Sequence, residues 1–446
     1  MKHLENSHFP AVNKKTIPSW AVYWSLRQPD AMAILSPDGR SVTYAQLCEQ
    51  IAQIVLRLKS AHLKRNDRVA LVLPNGLDLA VAILGTASYA TAVPVNPSLQ
   101  SNELRSYLEM TKTKSVLLAD QGMEEVRKVA AEAGLRAISM DMNRDSEVSP
   151  RKIIEPLEFS SLAKFVKPND TAFVLPTSGT TSTPKAVSIS QSSACADAFD
   201  ICRWLKLNEK DRCLGIMPLF HVHALFAGLL ASLISGGSFV STPGYLSDKF
   251  FSWLKELKPT WYSAAPTIHQ AIVDDASLVL NQNISDHSRL RFIRSAAAPL
   301  SPELLKKIED LFKAPLIETY GMTELRTFIA ANPLPPQQRK PGSVGLEVGL
   351  PVAIIDSSGE RVPVGEPGEI VVSENHEGRK YIQDQGHRSS EIEDGWFRTG
   401  DIGTFDDEGY LFISGRSKEI IIRGGLNLSP VEIEQVLARH NEIGEV

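Results

Sequence analysis

Residues 177–185 read Thr177-Ser178-Gly179-Thr180-Thr181-Ser182-Thr183-Pro184-Lys185, six hydroxyl side chains and one glycine ahead of a lysine. The apolar run Ala172–Leu175 just before it reads as a buried strand. Such a loop offers backbone N–H groups, rotatable hydroxyl donors and one cation, which is what a polyphosphate needs. The spacing Gly-x-x-x-x-Gly-Lys-Ser/Thr is absent, so this is not a Walker loop. Taken alone, the stretch also fits a solvated Ser/Thr loop.

Outward from this loop, strand and helix patterns alternate. Toward the N-terminus, a helical pattern opens at Thr43-Tyr44-Ala45-Gln46-Leu47 and continues through Ile51, Ile54 and Leu58. The run Arg68–Leu73 reads as a strand ending at Pro74-Asn75-Gly76. It is followed by an apolar helix over Leu79–Ala92 and by strand candidates at Thr91–Val95, Ser115–Ala119 and Arg136–Met140. This order predicts parallel sheet wrapped by helices. The polar segment Asn143–Lys167 reads as a loop leading into residues 177–185. Toward the C-terminus, short strands are expected at Arg212–Met217, Ser238–Ser241, Thr260–Ala264, Phe292–Ser295 and Pro315–Tyr320, with a core helix over Leu225–Ile234. After Gly342 the strands Val352–Asp356, Gly368–Val372, Thr399–Phe405 and Tyr410–Ser414 alternate with Gly, Asp and Glu turns, which predicts a small antiparallel barrel. The expected fold class is therefore α/β: two α/β subdomains over about 1–170 and 171–340, and a β-barrel over about 341–414.

Composition narrows the function. At 446 residues the chain exceeds one ordinary domain. Hydrophobic content of 43% and charged content of 22% are those of a globular protein. A formal net charge of −5 argues against general nucleic-acid binding. No apolar run reaches the roughly 18 residues that cross a bilayer, and the start Met1-Lys2-His3-Leu4-Glu5 is not an apolar signal segment. Cys48, Cys195, Cys202 and Cys213 show no metal-ligand spacing and read as reduced structural thiols. These features together predict a cytoplasmic protein.

Further motifs follow the loop in order: Tyr320-Gly321-Met322-Thr323-Glu324, then Thr399-Gly400-Asp401, then Gly415-Arg416-Ser417-Lys418-Glu419 and Gly424-Gly425-Leu426-Asn427-Leu428-Ser429-Pro430-Val431-Glu432. With the loop at 177–185, this series resembles the adenylate-forming superfamily of acyl-CoA synthetases, peptide-synthetase adenylation domains and luciferases. The resemblance covers nearly the whole chain. It implies ATP-dependent activation of a carboxylic acid to an acyl-adenylate, then thioester formation with CoA. The phosphopantetheine arm of an acyl carrier protein is the alternative acceptor. A non-catalytic nucleotide- or acyl-binding module is a further alternative.

The resemblance also implies roles. Thr177, Ser178, Gly179, Thr180, Thr181 and Lys185 hold the β- and γ-phosphates of ATP, where charge must be neutralised on departing pyrophosphate. Tyr320 stacks on adenine, with Gly321 and Met322 beside it and Ala297-Ala298-Pro299 along the adenine edge. Thr323 lies near the α-phosphate, and Glu324 is the Mg²⁺ ligand, since a hard cation wants carboxylate oxygen. Asp401 accepts from the ribose hydroxyls and Arg416 is a second ribose contact; Asp401 also fits a plain turn residue. Lys418 falls on the hinge of a mobile lid. Thr323, Glu324, Lys185 and His221 form the expected catalytic set. His221, Val222, Ser295, Ala296 and Gly321 line the expected acyl pocket, although a histidine among apolar residues also fits a structural role.

The pocket positions speak to substrate. The segment Phe220-His221-Val222-His223-Ala224-Leu225 has no acidic partner for an α-ammonium, which disfavours an amino acid. Thr319, before the Tyr-Gly step, stands where malonate-type relatives carry arginine. The neighbourhood most resembles the oxalate–CoA ligase branch, with Arg294 or Arg326 able to pair with a second carboxylate or to be structural. The lid that begins at residue 415 is expected to be cut short at Val446, before the lysine such enzymes use in the first step.

Overall fold

The computed structural model describes residues 15–119, 121–140, 161–177, 185–278, 289–373, 379–382, 391–392, 395–419, 421–423 and 426–428, with the single positions 430, 433 and 437. It forms two compact units, one of Met1–Ser263 with Gly378–His387, the other of Ala264–Glu377 with Arg388–Val446.

The first unit holds the expected parallel sheet. Its seven strands run in the order Arg379–Tyr381, Ala186–Ser190, Thr171–Pro176, Thr91–Pro94, Arg68–Val72, Ser115–Leu118 and Arg136–Ser139. The last five are parallel, in register through Ala92↔Phe173, Val69↔Ala92, Val69↔Ser115 and Ser115↔Arg136. The near-continuous apolar content of the strands inside this sheet reflects burial on both faces, while the edge strand Arg136–Ser139 is partly exposed. The first two strands are antiparallel additions. The helix Tyr44–Ser60 starts on a capping box in which Thr43 and Gln46 satisfy each other's backbone amides. Helix Leu77–Ala87 is apolar and buried all round except at Asp78, which pairs with Arg40 at the surface. It ends before Thr91, where the chain returns to the sheet, so the longer helix expected over Leu79–Ala92 is in fact helix followed by strand.

A second sheet in this unit runs in the order Ser41–Thr43, Met32–Leu35, Ser238–Ser241, Arg212–Gly215 and Trp261–Ala264. The helix expected over Leu225–Ile234 begins as a wide π-helix, His223–Leu230, and continues as α-helix Ala231–Ser235. All four cysteines are free and buried.

In the second unit, Phe292–Ser295 and Leu316–Tyr320 pair in parallel, and Ala330–Ala331 and Leu346–Glu347 continue antiparallel. Helix Pro302–Phe312 starts where Ser301 accepts a bond from the Leu304 amide and proline fills the first turn. Five further strands are antiparallel, as expected after Gly342. Trp396–Phe405 is flanked by Gly368–Ser373, Glu391–Ile392 and Leu411–Arg416, and Val352–Ile355 lies outside Gly368–Ser373. Tyr320, Leu325, Ile354, Ile370, Phe397 and Leu411 share one apolar core, which ties the end of strand Leu316–Tyr320 to the antiparallel sheet. Strands Ile421–Arg423 and Leu426–Leu428 form a hairpin.

Candidate active site

The ends of the hydroxyl-rich loop are fixed by sheet. Strands Thr171–Pro176 and Ala186–Ser190 pair antiparallel, and the Thr177 amide donates to the Lys185 carbonyl at 2.8 Å. Ser178, Gly179, Thr180 and Thr181 lie outside the described residues. Lys185 is half-buried, its ammonium 4.8 Å from the centroid of the Tyr381 ring. Tyr381 sits on strand Arg379–Tyr381, paired with the strand that leaves the loop, and the Ile382 amide donates to the Ala186 carbonyl at 2.9 Å. That strand is anchored by Arg379, whose Nη2 lies 2.5 Å from Asp197 Oδ2 and whose Nε donates to Ser193 Oγ at 3.3 Å. Arg379 is 2% exposed and Asp197 fully buried. Sequence reading missed this pair: Asp197 lies on helix Gln191–Trp204, far along the chain from Arg379.

His221 is positioned by the Pro74–Gly76 turn. Asn75 Oδ1 accepts from the Leu219 amide at 2.9 Å, and Asn75 Nδ2 donates to the Thr242 carbonyl at 2.7 Å. His221 remains exposed, with its ring 4.6 Å from that of Phe220. Surrounding protein still desolvates the imidazole enough to lower its pKa below the usual histidine value. Val222 is half-buried. His223 is buried, and its Nε2 is hydrogen-bonded to Ser263 Oγ at 2.6 Å, the structural role its apolar setting implied.

In the second unit, Tyr320 ends a fully buried strand and the chain turns sharply at Gly321. A Cβ at Gly321 would lie 2.3 Å from the Thr327 carbonyl, so this step admits only glycine. The Met322 amide donates to the Arg326 carbonyl at 2.7 Å, closing the turn that presents Thr323 and Glu324, both half-buried. Ser295 and Ala296 are buried, and Thr319 Oγ1 donates to the Ser295 carbonyl at 3.2 Å. Ala297, Ala298 and Pro299 are exposed, and Ala297 holds a left-handed φ of 79°, a conformation that costs an alanine energy.

Asp401 meets Tyr320 here. The Tyr320 hydroxyl donates to Asp401 Oδ2 at 2.5 Å, and Arg416 Nε donates to Oδ1 at 3.1 Å. Residues 401 and 416 face each other across paired strands. Gly400, at φ +76°, lies within strand Trp396–Phe405, where its pairing with Gly368–Ser373 shifts register just before Asp401. Glu369 accepts from the Gly400 amide at 3.2 Å while it pairs with Arg398. Asp401 is 6% exposed, and desolvation raises its pKa despite the opposing pull of Tyr320 and Arg416. Burial raises the Tyr320 phenol as well, and the Asp401 charge adds to the effect. Lys418 lies exposed two residues past Arg416.

Strand Leu316–Tyr320 also carries Glu318, a buried carboxyl that desolvation pushes up to about 8, partly offset by a bond from the Gly342 amide. The signal was an acidic residue inside an otherwise apolar strand. Arg294 and Arg326 are both interior, at 1% and 4% exposed. Arg294 donates to the Thr327 carbonyl at 3.5 Å and lies over the Phe328 ring. Among the described residues no group of three or more His, Cys, Asp or Glu side chains is arranged to hold a metal ion by itself, and no helix is long and apolar enough to cross a membrane.

Known proteins resemble this chain in sequence and in architecture. Residues 23–382 match the family model described as AMP-binding enzyme. The oxalate–CoA ligase of Arabidopsis thaliana is 35% identical over 426 residues, covering 94% of this chain and 82% of that protein. The sulfoacetate–CoA ligase of Cupriavidus necator is 34% identical over 415 residues, covering 92% and 80%. The o-succinylbenzoate CoA synthetase of Bacillus subtilis, solved with ATP and magnesium, superposes with a TM-score of 0.78 at 25% identity, covering 96% of this chain and 85% of that one. With its family match across most of its length and CoA ligases among its relatives, the chain belongs to the AMP-binding enzyme family, as an AMP-forming ligase of the adenylate-forming superfamily.

Proposed function

We propose that this ligase activates a small dianionic acid, oxalate or a close analogue, and passes it to CoA. In the first step a carboxylate oxygen attacks the α-phosphorus of ATP, and the bond to pyrophosphate breaks. In the second the CoA sulfur attacks the acyl carbon and AMP leaves. The observation that carries the substrate class is the 35% identity to an oxalate–CoA ligase over 94% of the chain. The sulfoacetate ligase supports it, since that acid also carries two anionic ends.

The residue roles follow the same reading. Lys185 neutralises the β- and γ-phosphates together with the hydroxyl loop, Thr177 to Thr181. Tyr320 stacks on adenine beside Gly321, Met322 and Ala297–Pro299. Asp401 and Arg416 take the ribose. Thr323 lies at the α-phosphate. The family resemblance assigns His221, Val222, Ser295, Ala296 and Gly321 to the acyl group, and Arg294 or Arg326 to the second anionic group. Glu324 would suit Mg²⁺, because that ion is usually held by one or two carboxylates plus substrate phosphates rather than by an all-protein cage. When bound, the ion offsets charge on the phosphate oxygens. Residues 1–414 then form the adenylate-forming domain, with Lys418 the hinge of the lid that starts at 415.

The test measures pyrophosphate release and thioester mass across oxalate, sulfoacetate, malonate, acetate, benzoate and glycine, with CoA as acceptor. Oxalate or sulfoacetate should give the highest kcat/KM. A monocarboxylate that matches them overturns the dianion reading, and a thioester formed only on a carrier protein overturns CoA.

A further inference from the structure

We infer that Tyr381 is a positioning residue for Lys185: its ring face holds the ammonium where the phosphates arrive, and the buried Arg379–Asp197 pair holds the ring. The inference rests on the reading that Lys185 meets the ATP phosphates.

The ammonium lies 4.8 Å from the Tyr381 ring centroid, within the range of a cation–π contact. Lysine carries four flexible side-chain torsions, and ordering them at the moment of binding costs affinity. A platform that orders them beforehand lowers that cost. A carboxylate would order them too, but it would cancel the charge the phosphates need. An aromatic face attracts the cation and leaves its charge intact.

The platform is itself fixed. Strand Arg379–Tyr381 pairs with Ala186–Ser190, in register Tyr381↔Val187, so the ring stands two positions from Lys185 across one ladder. Ser188 Oγ donates to the Lys380 carbonyl at 3.0 Å. Arg379 enters the interior over the Phe226 ring, 5.2 Å from its centroid, and meets Asp197 there. A buried guanidinium–carboxylate pair is a costly way to secure a three-residue strand unless the strand's position matters.

The test is a double-mutant cycle on Mg·ATP affinity, measured by calorimetric titration of the full chain. Tyr381→Leu should weaken binding about three- to tenfold. Tyr381→Phe, which keeps the ring, should stay within about twofold of the parent. Lys185→Met should weaken binding more than Tyr381→Leu, and adding Tyr381→Leu to it should cause no further loss. Two results overturn the inference while leaving the role of Lys185 intact: parent-like binding by Tyr381→Leu, or an undiminished Tyr381→Leu effect in the Lys185→Met background. Parent-like binding by Lys185→Met overturns the phosphate reading and the inference with it. Matching urea midpoints among the variants show that affinity, not folding, is being read.

Discussion

Asp197 and Asp401 are both buried aspartates, one in each compact unit, and the chain treats them in opposite ways. Asp197 meets an equally buried guanidinium at 2.5 Å. Asp401 meets a neutral phenol at 2.5 Å and, at 3.1 Å, an arginine whose side chain is 46% exposed. The first pair is closed, its charges cancelling inside the protein. The second carboxylate is only partly compensated, and desolvation keeps its pKa raised. A charge left in that state gains from further donors, such as the two hydroxyls of a ribose. The contrast separates a carboxylate that builds structure from one left open to further donors.

The largest effect expected from this contrast is on folding. Asp197→Ala strands the Arg379 guanidinium in the interior and should cost about 3–5 kcal/mol, read as a lower urea midpoint. A loss below about 1 kcal/mol would show that the pair is no anchor, and the distinction between the two aspartates would collapse.

Glu318 sharpens the comparison as a third buried acid, one that burial pushes up to about 8. A raised folded-state value means the folded chain holds this proton more tightly than the unfolded one. Its contribution to stability is full below about 4.5 and is lost as pH rises through about 8. Glu318→Gln removes this dependence. Denaturation curves across that window should show the parent losing about 1.4 kcal/mol per pH unit relative to the variant. Parallel curves would mean Glu318 is already ionised in the folded chain across that window.

The smallest effect is on Asp401 itself. Asp401→Asn keeps the shape but loses the charge, and should weaken Mg·ATP binding by about 1.5–3 kcal/mol, narrowing the difference between ATP and 2′-deoxy-ATP. Two pH effects follow with opposite signs. Relative to the variant, the parent's stability declines as pH rises from 3.8 through its raised value. If the ionised carboxylate takes the ribose, as proposed, nucleotide affinity should grow over the same range. A variant that still separates the two nucleotides as the parent does would leave Asp401 a structural partner of Tyr320 and Arg416.

Much of the fold is legible in the sequence, because buried parallel strands write themselves as short apolar runs. Arg68–Val72, Ser238–Ser241 and Phe292–Ser295 lie where those runs predict them. The ordered motifs likewise point to the family. The helix Ile17–Arg27 is harder to read: Thr16 and Pro18 mark a start, but its buried residues Ile17, Pro18, Trp20, Ala21, Val22, Trp24 and Ser25 trace no single apolar stripe. The π-helix at His223–Leu230 is not legible, since apolar content says nothing of how wide a turn is wound. The partners of site residues are the hardest to read. Arg379, in the run Gly378-Arg379-Lys380-Tyr381, looks like a solvated charge, and only the sheet brings it to Asp197. The hydroxyl of Tyr320 finding Asp401 is the same kind of fact: a contact across 81 positions made by folding and written in neither motif.

The bond from the Thr177 amide to the Lys185 carbonyl has a consequence for change over generations. It closes the ladder of Thr171–Pro176 and Ala186–Ser190 at the foot of the loop, so the sheet is complete before the loop begins. Residues can be gained, lost or exchanged between the two ends without shifting the pairing of Pro176 with Ala186 or the direction in which Lys185 leaves the sheet. The ladder and the stretch between its ends can therefore be inherited as separate units of variation, and a segment taken from a relative can be grafted between Thr177 and Lys185 as a cassette.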